Sequence, residues 1–170
     1  MKSVVKIIFL PLLALVFTGC AHYRLGTGAT PPFATIYVAP VQNRADIPQA
    51  AALVGARLRE AFLRDGRVAL AASPAEADAV LTVTLGRYAR EQLTARAADA
   101  GLARKLALVV DATATLTDRR TGRVLFGSRP LRAERQAFTD SGQLLAEADA
   151  IPLLADTLAE AALHAALDTW

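Results

Sequence analysis

One thiol, two imidazoles and a large set of guanidinium groups bound the chemistry open to this chain. The thiol is Cys20, inside "FTGCAHYRLG". A catalytic cysteine needs a base to take its proton and a folded pocket to hold the pair together. The histidines do not supply that base: His22 lies in a Gly/Thr/Pro-rich stretch and His164 in a distant Ala/Leu-rich one. Ser73, Ser128 and Ser141 sit in turn or strand-end contexts, and none has the G-x-S-x-G setting of a nucleophile elbow. "LGTGAT" lacks the lysine of a phosphate loop, and no helical pattern follows it. No H-x-x-x-H pair or cysteine cluster offers a metal site. The expectation is a protein that is not an enzyme, with no catalytic residue and no metal.

Cys20 is explained by what precedes it. Lys2 and Lys6 make a positive start, Ile7 to Phe17 is an uncharged apolar run, and small Thr18 and Gly19 lead into the cysteine. A charged start, a short apolar middle and a small-residue exit is the layout of an export signal. The run of eleven residues, at ~1.5 Å each, is too short for a hydrocarbon core of roughly 30 Å. A cysteine at the exit makes the segment similar to a bacterial lipoprotein signal. There a thiolate takes up diacylglycerol, the peptide is cut before the cysteine, and the new amine is N-acylated. Residues 1–19 are therefore expected to be the signal peptide, and Cys20 the lipid anchor. Each buried methylene contributes ~0.8 kcal/mol, so several chains hold firmly. Covalent diacylglycerol and N-acyl lipid are the only attached groups expected, with no separate cofactor. Ala21 after the cysteine points to the outer membrane, on its periplasmic side.

The remaining 150 residues suit one domain with one core. With Lys2 and Lys6 removed, 17 basic residues face 16 acidic ones, so nothing argues for a nucleic-acid partner. Distribution matters more than the total. Arg87 to Arg135 holds eleven basic and five acidic residues, whereas Gln136 to Trp170 holds six acidic residues and no Lys or Arg. Either one surface prefers anions, or strand and helix charges face each other within the fold.

Residues 20–32 are Gly/Thr/Pro-rich without a period and read as a tether from the lipidated cysteine. "TIYV" at Thr35 to Val38 is a short strand closed by Pro40. Asp46 and Pro48 suit the first turn of a helix, in which Ile47, Ala51, Val54, Leu58 and Phe62 recur at three- and four-residue steps until Gly66. Ala79 to Arg90 reads as a long strand. Leu106, Leu108, Val110, Ala112, Ala114 and Leu116 alternate with polar residues in the next. "DRRTG" turns the chain into a return strand opening at Val124, in which Pro130 marks an edge position or a bulge. Ser141 to Leu167 reads as helix, kinked or begun at Pro152. The expected α+β fold over 33–170 runs β-α-β-β-β-α. It is a mostly antiparallel four-stranded sheet with two helices packed on one face, and room for one further short strand at Arg67–Ala72.

At this point the chain resembles the lipopolysaccharide-assembly lipoproteins of the LptE type. The resemblance is carried by "CAHYRLG", "TIYVAPVQN…IP", "ADAVLTVTLGRYARE", "LALVVDATATLTDRRTGRVLF" and the Ala/Leu-rich tail, with Asn43 and Asp78 among the shared positions. It implies an outer-membrane lipoprotein that partners the β-barrel inserting lipopolysaccharide (LPS) and helps LPS leave it. Lipid A carries phosphates, which guanidinium groups pair bidentately. The candidate LPS-binding residues are Arg96, Arg104, Lys105, Arg129, Arg132 and Arg135, gathered on a basic sheet edge.

The same order of short strand, Asn loop, helix and alternating strand is shared by lipoproteins that activate peptidoglycan synthases or serve a secretion assembly. Such work needs a tether that crosses the periplasm. Residues 20–32 reach at most ~40 Å at ~3.3 Å each, which favours work beside the membrane. The anchor is directly testable: mass spectrometry of membrane-extracted protein is expected to find acyl chains on an N-terminal Cys20, and an unmodified cysteine there would sink the lipoprotein reading.

Overall fold

The computed structural model describes residues 31–45, 47–93, 105–139, 142–168 and 170. The elements follow in the order β1 (Thr35–Val38), β2 (Gln42–Asn43), α1 (Ala50–Asp65), β3 (Ala69–Leu70), a 3₁₀ turn (Pro74–Glu76), β4 (Ala79–Leu93), β5 (Lys105–Asp118), β6 (Val124–Phe138) and α2 (Gln143–Leu167). They form one six-stranded sheet of order β3-β1-β4-β5-β6, with β2 also lying against β4. The α+β class and the two helices agree with the sequence reading. The four-stranded, mostly antiparallel sheet does not: the sheet is mixed. Strand β1 runs parallel to both β3 and β4, and β2 runs parallel to β4. The cause is α1, a crossover that returns β3 parallel to β1. Strands β2 and β3 have two residues each, too few to show a period.

Side chains that the resemblance singled out turn out to fasten backbone. Asp78 Oδ2 accepts from the Ala34 and Thr35 amides, both at 3.0 Å, and from Thr35 Oγ1 at 2.9 Å, tying the start of β1 to that of β4. These donors, the Thr35 hydroxyl first, hold the Asp78 carboxyl below its usual range. Asn43 Nδ2 donates to the Ile47 carbonyl at 2.8 Å, and its Oδ1 accepts from the Ala45 amide at 3.1 Å. That brace tucks Ala45 and Ile47 into the core. Pro48 lies in the turn before α1, one residue ahead of Gln49, which takes a left-handed conformation. Gly66 closes α1 at φ 72°, its amide donating to the Phe62 carbonyl.

Both helices cover the same face of the sheet. Val54, Leu58 and Phe62 of α1 and Leu154, Leu158 and Ala162 of α2 meet Ile36, Leu81, Val83, Leu108 and Leu116. An apolar gap between α1, α2, β4 and β5 has about 10 Å³, at the lower limit for one water. Helix α2 runs unbroken through Pro152. By composition it could cross a membrane, yet more than half of its most apolar window is packed inside the domain.

The long strands change parity on the way. Before Gly86, Leu81, Val83 and Leu85 face the helices; the register shifts between Leu85 and Arg87, and then Tyr88 and Arg90 do. A Cβ on the exposed Gly86 would make a single contact, 3.4 Å from the Asp111 carbonyl, so the glycine marks the bulge without being forced there by crowding. Beyond it the cover over β4 is polar. Arg90 grips Glu147 of α2 through Nε at 2.7 Å and Nη2 at 2.9 Å, and Tyr88 Oη and Gln143 Nε2 donate to the same carboxylate. Glu147 is only 7% exposed. Arg90, followed by the amide and phenol donors, holds its carboxyl below the usual range. Burial, followed by Glu147, pushes the Tyr88 phenol up to about 12.

Two measurements check this packing. Phe62, 1% exposed, should cost about 3–5 kcal/mol on replacement by alanine, read by denaturant unfolding; less than about 1 kcal/mol would mean α1 is not packed as described. Glu147→Gln should cost about 1–3 kcal/mol near neutral pH. Because the folded-state pKa of Glu147 is depressed, its contribution is complete above the unfolded value of about 4.3 and disappears as pH falls through the lower folded value. The gap between wild type and variant should therefore close on acidification, and a constant gap would assign the loss to packing alone.

Candidate functional site

The two ends of this elongated domain differ in chemistry. At the far ends of the long strands, Leu93, Lys105 and Phe138 stand in register across β4, β5 and β6. Leu93 is 41% and Phe138 50% exposed, and the first turn of α2 adds Leu144 at 87% and Leu145 at 53%. The Lys105 ammonium lies 5.2 Å from the centre of the Phe138 ring. Among the described residues it has no acidic partner. This tip therefore combines a cation with an unpartnered apolar surface, which suits an amphiphile with an anionic head. The Glu147 clamp fixes the first turn of α2 against β4 and so positions the leucines beside the strand ends.

The structure does not gather the six basic candidates onto one edge. Lys105 is at the tip, exposed. Arg96 and Arg104 lie outside the described residues, as do Cys20 and the rest of 1–30. Arg129 turns toward the helix layer: its Nη1 donates to the Ala165 carbonyl at 2.8 Å and its guanidinium stacks 4.2 Å above Phe126. It thereby caps the last turn of α2. Arg135 also faces α2, donating to Thr157 Oγ1 at 3.0 Å. Arg132 points to the opposite, helix-free face.

That face carries threonines and a charge ladder. Thr82 pairs with Thr115 and Thr84 with Thr113 across β4 and β5. Next, Arg87, Asp111 and Arg132 stand side by side on three strands. Arg132 meets Asp111 at 3.2 Å and Glu134 at 3.8 Å, while Arg87 meets Asp111 at 4.0 Å and Glu91 at 3.8 Å. Two guanidinium groups thus share three carboxylates, leaving no surplus positive charge there. The sequence shows the alternation that places these residues, but it does not show which strands become neighbours.

Several other polar groups are structural. Arg57 donates to Glu60 at 2.8 Å and ion-pairs with Asp156 at 3.0 Å, without a hydrogen bond from its Nε, beside a solvent-open groove of about 620 Å³ between the helices. Arg67 joins Asp65 to Asp168. His164 is exposed beside Asp168, on the outer side of the last turn of α2. Among the described residues no group of His, Cys, Asp or Glu could hold a metal ion.

Solved structures share the fold, three of them as follows. A hypothetical protein of Chlamydia trachomatis superposes with a TM-score of 0.54 at 10% identity, over 78% of this chain and 94% of its own. A minor lipoprotein of Acinetobacter baumannii gives 0.52 at 15%, over 78% and 92%, and a Xanthomonas campestris protein gives 0.51 at 16%, over 78% and 83%. At these identities they establish architecture alone. No curated protein matches the sequence. A family model does: the lipopolysaccharide-assembly model LptE matches residues 33–165, from the start of the described core almost to the end of α2. That span is most of the sequence and the whole sheet, so the chain belongs to the LptE family of lipopolysaccharide-assembly lipoproteins.

Proposed function

We propose that this chain is an outer-membrane lipoprotein, anchored on the periplasmic side through lipid on Cys20. It assists assembly and operation of the β-barrel that inserts LPS, and it binds LPS at the tip of its long strands. It does no bond-making chemistry and requires no metal. The observation that carries the LPS assignment is the juxtaposition of Lys105 with Phe138, Leu93, Leu144 and Leu145. Lipid A combines phosphates with acyl chains, and this tip offers a partner for each. Arg96 and Arg104 belong to the segment joining β4 to β5 and so are covalently tied to the same end. Arg132, neutralised within its ladder, and Arg129, committed to α2, have no such role in this reading.

The partner is tested by mild solubilisation and pull-down of the lipidated protein: a stoichiometric large β-barrel is expected, and its absence would remove the assembly role. LPS binding is tested separately by changing Arg96, Arg104 and Lys105 together to Gln. Each exposed charge contact contributes up to about 1 kcal/mol, so affinity for intact LPS should fall roughly tenfold or more at low salt. The loss should shrink at high salt, where the screening length is ~3–8 Å. Dephosphorylated LPS should not discriminate wild type from the variant. Arg132→Gln should bind like wild type; if it alone matched the triple variant, the ladder and not the tip would be the contact.

A further inference from the structure

The opposite end of the domain carries a second basic group, in the turn between β5 and β6. Arg119, Arg120 and Arg123 are all exposed there, and none makes an ion pair among the described residues. The turn that displays them is closely tied. The Asp118 amide donates to the Arg123 carbonyl at 2.8 Å, Asp118 Oδ1 accepts from the Thr121 amide at 2.9 Å, and Gly122 takes φ 71°. Its root is joined to the beginning of the domain, since the Arg119 amide donates to the Asp78 carbonyl at 2.8 Å. Asp78 in turn holds the amides of Ala34 and Thr35. The three guanidinium groups therefore flank the point where the chain from Cys20 enters the fold. Val124, next along the chain, is 54% exposed. Trp170 stands at the same end, its ring edge-on to Phe33 at 6.2 Å, its indole N–H on the Ala166 carbonyl, and 39% exposed.

We infer that this end is a lipid-headgroup contact, in which Arg119, Arg120 and Arg123 meet the anionic phosphate layer that holds the anchor and Trp170 sits at its edge. Three features favour a membrane surface as the occupant. The tether of residues 20–32 reaches at most ~40 Å, which keeps this end close to the anchored leaflet. Guanidinium groups on a rigid turn match an array of phosphates, and indoles favour the boundary between headgroups and acyl chains. The carboxylates that act on Arg120, those of Asp78 and Asp118, are each already engaged by backbone amides at the base of the turn. Glu76 belongs to the 3₁₀ turn beside β1, and Asp65 and Asp168, the latter two residues before Trp170, are paired by Arg67. The acyl chains hold the protein at the leaflet, and the basic patch sets which end of the domain meets it.

The contact rests on the anchored-lipoprotein reading but not on LPS assembly, and it is measurable without the anchor. The described core begins at Phe33, so the chain from Ala21 onward, produced without signal or lipid, keeps all of it. Trp170 is the single tryptophan, and its fluorescence reports this end directly. On titration with phosphatidylglycerol/phosphatidylethanolamine vesicles, a blue shift and co-sedimentation are expected, with neither on pure phosphatidylcholine vesicles. Each basic residue at an anionic surface is worth about fivefold in partitioning. The variant Arg119→Gln, Arg120→Gln, Arg123→Gln should thus lose roughly a hundredfold at low salt with its melting temperature unchanged. A charge-matched control, Arg59→Gln, Arg64→Gln, Arg132→Gln, should lose less than about threefold. The inference is overturned if the wild-type chain ignores anionic vesicles, binds neutral ones equally, or loses as much in the control variant. It is also overturned if inorganic phosphate displaces the chain more than chloride of equal ionic strength does, which would make the turn a site for the free anion. Barrel pull-down and LPS binding do not depend on these three residues, so failure here leaves the proposed function standing, and the reverse also holds.

Discussion

A sheet with apolar side chains on one face must find a cover for that face, and in this domain the length of the cover sets everything else. Strands β4 and β6 have 15 residues each, whereas α1 has 16 residues and α2 has 25. At ~3.3 Å per strand residue and ~1.5 Å per helix residue, the strands extend to roughly 50 Å, α1 to roughly 24 Å and α2 to roughly 37 Å. Both helices can therefore share only the part of the sheet near β1 and β3. Beyond that, α2 works alone, and the outermost strand residues have no cover. Apolar layers fill the shared part, and a buried carboxylate bonded to Arg90, Tyr88 and Gln143 replaces them where one helix must suffice. Replacing packing by a polar grip gives little net stability but fixes geometry, because Glu147 is satisfied in one arrangement only. The cost of this design is the exposed apolar tip.

Much of this was legible before any coordinates. Thr35 to Val38 is a strand as read, α1 follows its three-and-four spacing to the Gly66 cap, and the alternation from Leu106 to Leu116 appears as the buried side of β5. Pro130 was a signal of edge or bulge and proves to mark both. Strand β6 is the sheet's edge, and its register slips nearby, where Ser128 takes φ 47°. What could not be read was neighbourhood. Periodicity reports which way a side chain points but not which strand lies beside it, so the parallel pairs of β1 escaped, and two-residue strands carry no period at all. The parity change at Gly86 was available in principle, since a lone glycine inside a strand pattern signals a bulge. Without it, Tyr88 and Arg90 fall on the wrong face, and the contact to Glu147 cannot be anticipated.

The arginines show the same limit in sharper form. Eleven basic residues between Arg87 and Arg135 read either as a surface for anions or as charges that face the acidic helix, and pairing divides them into groups with different tasks. Arg129 and Arg135 alternate toward α2, Arg87 and Arg132 neutralise carboxylates on the helix-free face, and Arg90 is half of the clamp. Among the described cations of this stretch, those with neither a salt-bridge partner nor a hydrogen bond to α2 are therefore at the two ends: Lys105 at the tip, and Arg119, Arg120 and Arg123 at the β5–β6 turn. A count of charges along the chain cannot separate these cases, because only the register across strands tells an arginine facing a carboxylate from one facing water.

An antiparallel meander forces such a division between ends. Turns and strand ends accumulate at two opposite poles, and only there can a long cationic side chain avoid both the helix layer and a cross-strand partner. One pole adjoins the point where the chain enters the fold, and the other lies the length of α2 away, roughly 37 Å at ~1.5 Å per residue. The proposed headgroup contact and the proposed lipopolysaccharide contact fall at these two opposite poles, arginines at one and a lysine with leucines at the other. The clamp at Glu147 gives that separation its mechanical meaning: it makes α2 a strut between the poles, so that whatever fixes the orientation of one end fixes the other.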